Sequence, residues 1–529
     1  VAAVAGFAWL ALRTHQVGHD WGDDFALYIR QAQGLLEGRP GQVVSDNRFA
    51  LDNSSWSTFS PESYPWGWSI LLAPVVWIVG VDYAALKLLG VALWCAALVF
   101  WHLVVRERAG SATAWVLMAA LGFSWPVVVW TNSVVSDIPY LAFAFATLWW
   151  LDHCRRRNAW TSGSVLPLVT LGLLLAFTFN VRREGLALVA ATSVAAALHV
   201  LTARRGCSAT PSPGETLPGA RGRVQWRRAI TPLVTFVVAS AVFQLVLPSV
   251  VAPRYPGSGL SNIPDRLEWY RDIAAQQLGL FGPYDDSPTI LGSSLLALVL
   301  LGVIVGLGLV GLVVRCAQRP ATDLPLAVFA LAHAFVIGIA PFQEGRYLFP
   351  IVPVLVYFAV MAPRAVLALS TRDRPASPGH RRAALVPVLV LVGLLGAAGL
   401  VETWRWGTTA TALRDAGQVQ NGPTDPFALE MFVAVEGITD DSDVVAFFRA
   451  RAMTMVTDRR AIQSSEIETI IRNADWYAME RGSTYSQPLI SPDEAISRRL
   501  DRVWSNNGWI LYRVTDDAKE LEASEGEDG

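Results

Sequence analysis

Long, almost uncharged apolar runs recur along this chain, and five arginine-rich stretches interrupt them after every second run. Each run is long enough to cross the roughly 30 Å hydrocarbon core as a helix, and basic residues that stay on the cytoplasmic side fix the direction of crossing. The composition agrees: 53% of the 529 residues are hydrophobic and 16% are charged, where a soluble chain carries roughly 25% charge. A soluble enzyme is excluded, and a polytopic helical membrane protein is expected. The net charge of −2 comes with no basic, aromatic-laced domain, so no nucleic-acid partner is expected. Lys87 and Lys519 are the only lysines, and neither closes a phosphate-binding glycine loop, which excludes ATP-driven transport by this chain.

Expected spans lie near residues 1–14, 83–105, 111–131, 137–152, 163–181, 184–203, 229–250, 289–314, 324–342, 347–363 and 383–402, eleven in all. The first would rise only about 21 Å, so the chain is expected to start late or to tilt there; no basic segment suggests a signal peptide. Arg106 and Arg108, Arg155 to Arg157, Arg204 to Arg228, Arg315 and Arg319, and Arg364 to Arg382 then all fall on the cytoplasmic side. Residues 15–82, 132–136, the Arg182 region, 251–288, 343–346 and everything beyond about 403 fall outside. A crossing at Pro65–Val81 would invert every later basic loop, so this Trp- and Pro-rich stretch is expected to lie at the outer interface. The membrane domain is thus expected over 1–402, with a small outer α/β domain at 403–514 and an acidic, disordered tail at 515–529. In the outer domain, 442–448 and 453–457 read as strands, 465–473 and 492–502 as helices, and Asn507-Gly508 as a hairpin turn. Residues 206–219 read as a flexible cytoplasmic linker, and with Cys154, Cys207 and Cys316 at cytoplasmic ends and Cys95 within a span, no disulfide framework is expected.

The run GDDFALYIRQAQGLLEG at 22–38 opens the outer side with two carboxylates, Asp23 and Asp24, ahead of an amphipathic helix that is expected to lie on the bilayer. Tyr28 shares a face with Asp24. Taken alone, the pair reads most simply as a helix cap. Asp137, in SDIPY at 136–140, has the same two readings.

Together with YPWGWSILLAP at 64–74 and QEGRYLFPIVP at 343–353, these runs resemble, in their order, the GT-C superfamily of polyprenyl-phosphate-sugar-dependent glycosyltransferases. The likeness is to bacterial protein O-mannosyltransferases and aminoarabinose transferases, and it covers most of the chain. The second proline usual in the Y-P-P-G stretch is Trp66 here. The resemblance implies that Asp24, with Asp23 as runner-up, is the catalytic first-loop aspartate, and that Asp137 is the second acidic position. It implies a plasma (inner) membrane enzyme with an extracytoplasmic site, and a loop at 251–288 that covers the donor.

A lipid-phosphate leaving group needs fixed positive charge at the outer interface. Arg182, Arg183 and Arg346 are basic residues on the wrong side for topology, and Lys87 stands near an outer span end; each could instead snorkel or pair, Arg182 and Arg183 with Glu184 and Arg346 with Glu344. Tyr28, Tyr64, Glu184, Glu344, Tyr347 and Asp23 are the expected cavity lining, and Arg254, Tyr255, Arg266, Arg271 and Tyr284 belong to the covering loop. No metal or other cofactor is required by a monophosphate leaving group. A divalent ion is compatible but not indicated, since His15 and His19 beside Asp20 read as interfacial polar residues and His333 as a satisfied core histidine. GLGLVG at 306–311 spells a dinucleotide motif inside an apolar span and reads as close helix packing, helped by Gly302 and Gly306. The expected partners are a polyprenyl-phosphate-linked sugar, the bilayer, and a glycan, lipid or protein acceptor. The competing class is a flippase of lipid-linked glycans.

Overall fold

A computed structural model describes residues 1–529 apart from 23, 56–60, 207–218, 251–258, 282–293, 341–342, 371–378, 380–382, 483–484 and 528–529. Along the chain, α1 (Ala2–Arg13) is followed by three helices that precede the first long apolar one, α2 (Asp24–Leu36), α3 (Pro40–Asn53) and α4 (Gly67–Val79). The bundle continues through α5 (Tyr83–Ala109), α6 (Ser111–Gly122), α7 (Trp125–Val129), α8 (Asp137–Arg156), α9 (Leu166–Val181), α10 (Leu186–Gly206) and α11 (Gly219–Val246). After α12 (Ile263–Gln277) come α13 (Ser294–Gln318), α14 (Pro320–Ile339), α15 (Ile351–Ser370) and α16 (Val386–Asp415). Each expected span overlaps one of these helices except 111–131, which is divided between α6 and α7; residues 289–293 and 341–342 of two spans lie outside the described residues. Among the described residues seven are long and apolar enough to cross a membrane, and an eighth counts if α6 and α7, bent by 58°, form one broken span. The remaining three expected spans are the short α1 and α9 and the charge-bearing α8, all packed into the same bundle. The protein is a multi-pass membrane protein.

Local sequence explains the helix ends. The Asp82 carboxylate accepts the Ala84 and Ala85 amides at 2.8 and 3.1 Å and so starts α5, while Arg106 and Arg108 suit the negative end of its dipole. Pro167, Pro320 and Pro387 occupy first turns, where no amide partner is lost. The stretch expected not to cross forms α4, which at 13 residues rises only about 20 Å. Gly67 at its start lies against the end of α9: an added Cβ would be 2.5 Å from the Asn180 carbonyl oxygen, so only glycine permits this approach. In the GLGLVG segment the close packing is against α15, but through Gly308 and Gly311, whose Cβ atoms would meet Leu355 and Phe358; Gly302 and Gly306 have open space.

Two expectations about the outer layer are corrected. Helix α2 is not amphipathic in its burial: residues 25–32 are all buried, so no face of this stretch is left for lipid, and only its end at Leu36 is exposed. The outer domain does not begin at 403 either, because α16 runs unbroken to Asp415.

Beyond it stand α17 (Pro426–Ile438) and a five-stranded sheet: β1 (Val444–Ala446), β2 (Arg460–Ile462), β3 (Trp476–Glu480), β4 (Leu500–Ser505) and β5 (Trp509–Val514). The order is β2-β1-β3-β5-β4, with β1 parallel to β2 and β3 and the other pairs antiparallel. The helices between strands are α18 (Ala450–Thr457), α19 (Ile467–Asn473) and α20 (Pro492–Ser497). Residues 453–457, expected as a strand, lie in α18. Parallel β1 and β2 need a crossover, and that requirement overrides the alternating Met-Thr-Met-Val-Thr pattern. The expected helix at 492–502 stops at Ser497 and gives way to β4. The acidic tail, expected to be disordered, is helical as α21 (Asp516–Glu527), with Ala518 buried and Lys519 Nζ 2.7 Å from Asp475. Trp21 from the first outer loop packs edge-on against Phe447, Phe448 and Trp509, which seats this domain over α2.

Candidate active site

Asp24 is the first residue of α2, and both of its carboxylate oxygens are held by side chains from distant segments. Tyr64 donates to Oδ1 at 2.5 Å, and Arg346 Nη2 donates to Oδ2 at 2.8 Å. The capping reading is therefore set aside for this carboxylate. Asp137 starts α8 without capping it. Its Oδ1 accepts from Arg182 Nη1 at 2.6 Å, and its Oδ2 lies 3.6 Å from Arg346 Nη1. Arg346 thus stands between the two aspartates, and its guanidinium also lies 4.9 Å from the Trp130 ring centroid. Arg182 reaches Glu184 at 2.8 Å and covers the Tyr347 ring. Tyr28 donates to Ser136 Oγ at 2.8 Å and stacks on Tyr64.

Chain geometry brings these groups together because helices end here. Arg182 terminates α9, and Arg346 sits in the 3-10 turn Gly345–Leu348 that precedes α15. Burial pushes the Asp24 carboxyl up, but the Arg346 guanidinium, the Tyr64 hydrogen bond and the Arg451 charge outweigh it and hold the group below its ordinary range. Burial, assisted by Asp24, raises the Tyr28 phenol, which stays a donor at neutral pH. Glu344 is raised by burial, opposed by Arg346 and reinforced by Asp137 and Asp24; it lies 4.0 Å from Arg346 with 44% of its side chain exposed.

Other expected residues go elsewhere. Lys87 is turned to Asn132 Oδ1 at 2.8 Å and to the carbonyls of Gln16 and Gly18, so it ties the first outer loop rather than meeting a phosphate. Arg183 is directed to Ser249, Val250, Phe179 and Asn180, where it joins the end of α9 to the chain after α11. Arg271 pairs with Asp272 at the surface, and Arg266 donates to the Ala340 carbonyl. Asp23, Arg254, Tyr255 and Tyr284 lie outside the described residues. His15 meets Thr131, and His19 lies between the Asp20 carbonyl and the Val134 amide. His333 bridges the Tyr140 hydroxyl and the Tyr347 carbonyl, as a satisfied core histidine would.

One contributor escapes sequence reasoning. Arg451 of α18, buried, places Nη1 3.2 Å from the Tyr64 hydroxyl and its guanidinium over the Tyr64 ring. Asn47 and the Pro61 carbonyl hold the rest of it, at 2.9 and 3.1 Å. The outer domain thus reaches Asp24 through one intermediate side chain. The only trace in the sequence is a lone arginine inside the apolar stretch ARAMTM.

No sequence family and no curated protein matches the chain. Among solved structures, ArnT from Cupriavidus metallidurans bound to undecaprenyl phosphate matches with a TM-score of 0.52 at 12% identity, over 98% of both chains. The apo state of that protein matches with a TM-score of 0.50 at 12% identity, over 98% of this chain and 97% of that one. An Archaeoglobus fulgidus oligosaccharyltransferase tethered with an acceptor peptide is a looser match, with a TM-score of 0.49 at 11% identity, over 90% of this chain and 68% of that one. Over nearly its whole length, the chain shares the fold of ArnT.

Proposed function

We propose that the protein is a glycosyltransferase that moves a sugar from a polyprenyl-phosphate donor to an acceptor hydroxyl at the outer face of the plasma (inner) membrane. The observation that carries this reading is the alternation of two aspartates and two arginines, Asp24–Arg346–Asp137–Arg182, where helix ends meet. The donor phosphate would meet Arg346 and Arg182, whose guanidiniums suit planar recognition of its oxygens. Phosphate arriving at Arg346 competes with Asp24 for the same N–H groups. As that pairing loosens, the carboxylate loses the charge that depresses it and becomes a stronger base.

Asp24 then takes the proton of the acceptor hydroxyl while the oxygen attacks the anomeric carbon. The bond from that carbon to phosphate oxygen breaks, polyprenyl phosphate leaves with the electron pair, and direct displacement inverts the anomeric centre. The arginines stabilise the departing phosphate, so the chemistry asks for no metal. The acceptor is a hydroxyl on a glycan, a lipid or a protein.

Purified protein incubated with a panel of polyprenyl-phosphate sugars and candidate acceptors should release polyprenyl phosphate together with a glycosylated product. Donor binding without release by any combination would sink the enzyme reading and favour a flippase.

A further inference from the structure

Arg346 sits in a turn of only four residues, Gly345–Leu348, and its guanidinium is met by the Asp24 and Asp137 carboxylates and the Trp130 ring. Its buried Nε has no hydrogen-bond partner among the described residues. A single 3-10 turn has poor hydrogen-bond geometry of its own, so the backbone beneath this guanidinium needs support from elsewhere.

That support comes from α12. Gln277, the last residue of the helix and 5% exposed, donates from Nε2 to the Gly345 carbonyl at 2.8 Å. This oxygen belongs to the peptide that joins Gly345 to Arg346, and a planar peptide whose oxygen is held resists turning. Ile273, one turn earlier on the same face, closes the contact: a Cβ at Gly345 would lie 3.2 Å from its Cγ2. Gln277 is itself anchored. Its own carbonyl accepts the Ser124 hydroxyl at 3.0 Å, at the bend between α6 and α7, and Trp125 of α7 donates to the Phe281 carbonyl at 3.4 Å. Two residues beyond Gln277, Gly279 has φ +72° and approaches α16 so closely that a Cβ would stand 2.9 Å from the Leu395 carbonyl oxygen. Glycine alone combines that backbone with that approach. One amide thus ties the Arg346 peptide to a helix end that α7 and α16 pin.

We propose that Gln277 is a positioning residue for Arg346, fixing the peptide from which this guanidinium meets Asp24 and, during transfer, the donor phosphate. The phosphate half rests on the transfer reading above; the hold on Arg346, and through it on Asp24, does not. The amide of Gln277 bonds to backbone, so its effect on the reaction passes through Arg346. Without that hold the guanidinium departs from Asp24 more often, and the carboxylate loses charge that offsets its burial.

A titration of the Asp24 carboxylate in the full chain, read by infrared difference against Asp24→Asn, needs no turnover. Gln277→Leu keeps the bulk and removes the donor; it should move the midpoint upward, by less than Arg346→Met does. In the Arg346→Met background it should add no shift, whereas a loosened bundle would add one in both backgrounds. Turnover supplies the second arm: kcat/KM for the donor should fall by about fivefold to tenfold, the scale of one buried hydrogen bond, with KM for the acceptor unchanged. Gln277→Glu separates the hydrogen bond from the fold. Its ionised carboxylate has no proton for the Gly345 carbonyl, but the protonated form donates as the amide does, and burial raises its titration. Activity of this variant should therefore recover as pH falls from about 7 to about 5. A midpoint in Gln277→Leu equal to that of the wild type overturns the proposal. A shifted midpoint in a protein that releases polyprenyl phosphate from no donor upholds the hold on Arg346 and sinks the transfer reading instead.

Discussion

Two clusters of Asp, Arg and Tyr stand at opposite ends of the same helix bundle, built from the same residue types but differently enclosed. Around Arg108 the carboxylates are shut in: the side chains of Asp152 and Asp323 are 5% and 0% exposed, and helix–helix contact surrounds them. Around Arg346 the Asp24 side chain keeps 31% of its surface, and Glu344 keeps more. The first set ties α5, α8, α13 and α14 together. The second holds ion pairs that an incoming anion can reach and exchange, so solvent access rather than residue type separates a structural cluster from one that can do chemistry.

The contrast breaks most visibly at Asp24. Asp24→Asn should cut transfer by about 10²- to 10⁴-fold, the range for loss of a general base, while donor binding is kept and stability falls only modestly, because the carboxylate paired with Arg346 is 31% exposed. Unchanged turnover would remove this carboxylate from the reaction. Arg108→Met should do the reverse. It strands buried Asp152 and should cost about 3–5 kcal/mol in denaturant unfolding, with turnover of the remaining folded protein preserved. Adding Asp152→Leu to it should restore most of that stability, since a well-packed apolar pair can replace a buried ion pair.

Acid should sharpen the difference further. Asp24 has its carboxyl depressed, mainly by Arg346 acting against burial, so the acid limb of kcat/KM in the free enzyme should fall below the ordinary carboxylate value of 3.8. The linked stability has the same sign: it is present above the unfolded value and lost as pH falls through the folded one. Arg346→Met leaves burial unopposed by that charge and should move the limb upward. A limb that does not move in the pH–rate profile of this variant would mean that the group being titrated is not Asp24.

Much of this was legible because membranes constrain sequence strongly. Arginine spacing placed the helices, and arginines that broke the spacing, Arg182 and Arg346, proved to lie in the cluster. Lys87 had the same signature and a different fate. A basic residue at a span end can meet a ligand or backbone carbonyls, and only the course of residues 16–18 past its ammonium group decides. Residues 453–457 failed for a related reason, since strand-like alternation says nothing about the need for a crossover between parallel strands. Arg451 left little sign beyond its place in an apolar stretch, because its partners Tyr64 and Asn47 lie hundreds of residues away.

Arg451 also gives the smallest expected effect and the finest test of how the two ends of the molecule differ. It donates to Tyr64, which holds Asp24, and adds its charge to the field on that carboxylate, so it positions rather than participates. Arg451→Met should lower kcat by about tenfold, the scale of one hydrogen bond to a charged group, with KM little changed. Tyr64→Phe should cost a similar factor. If the outer domain acts on Asp24 through this relay, the two losses will not add in the double variant, whereas a general loosening of the domain would leave them independent. Arg451→Lys keeps the charge but loses the planar fork, so it should restore only part of the rate. No such coupling is expected between Arg451 and Arg108, because the inner cluster stabilises helices without contacting the reacting groups.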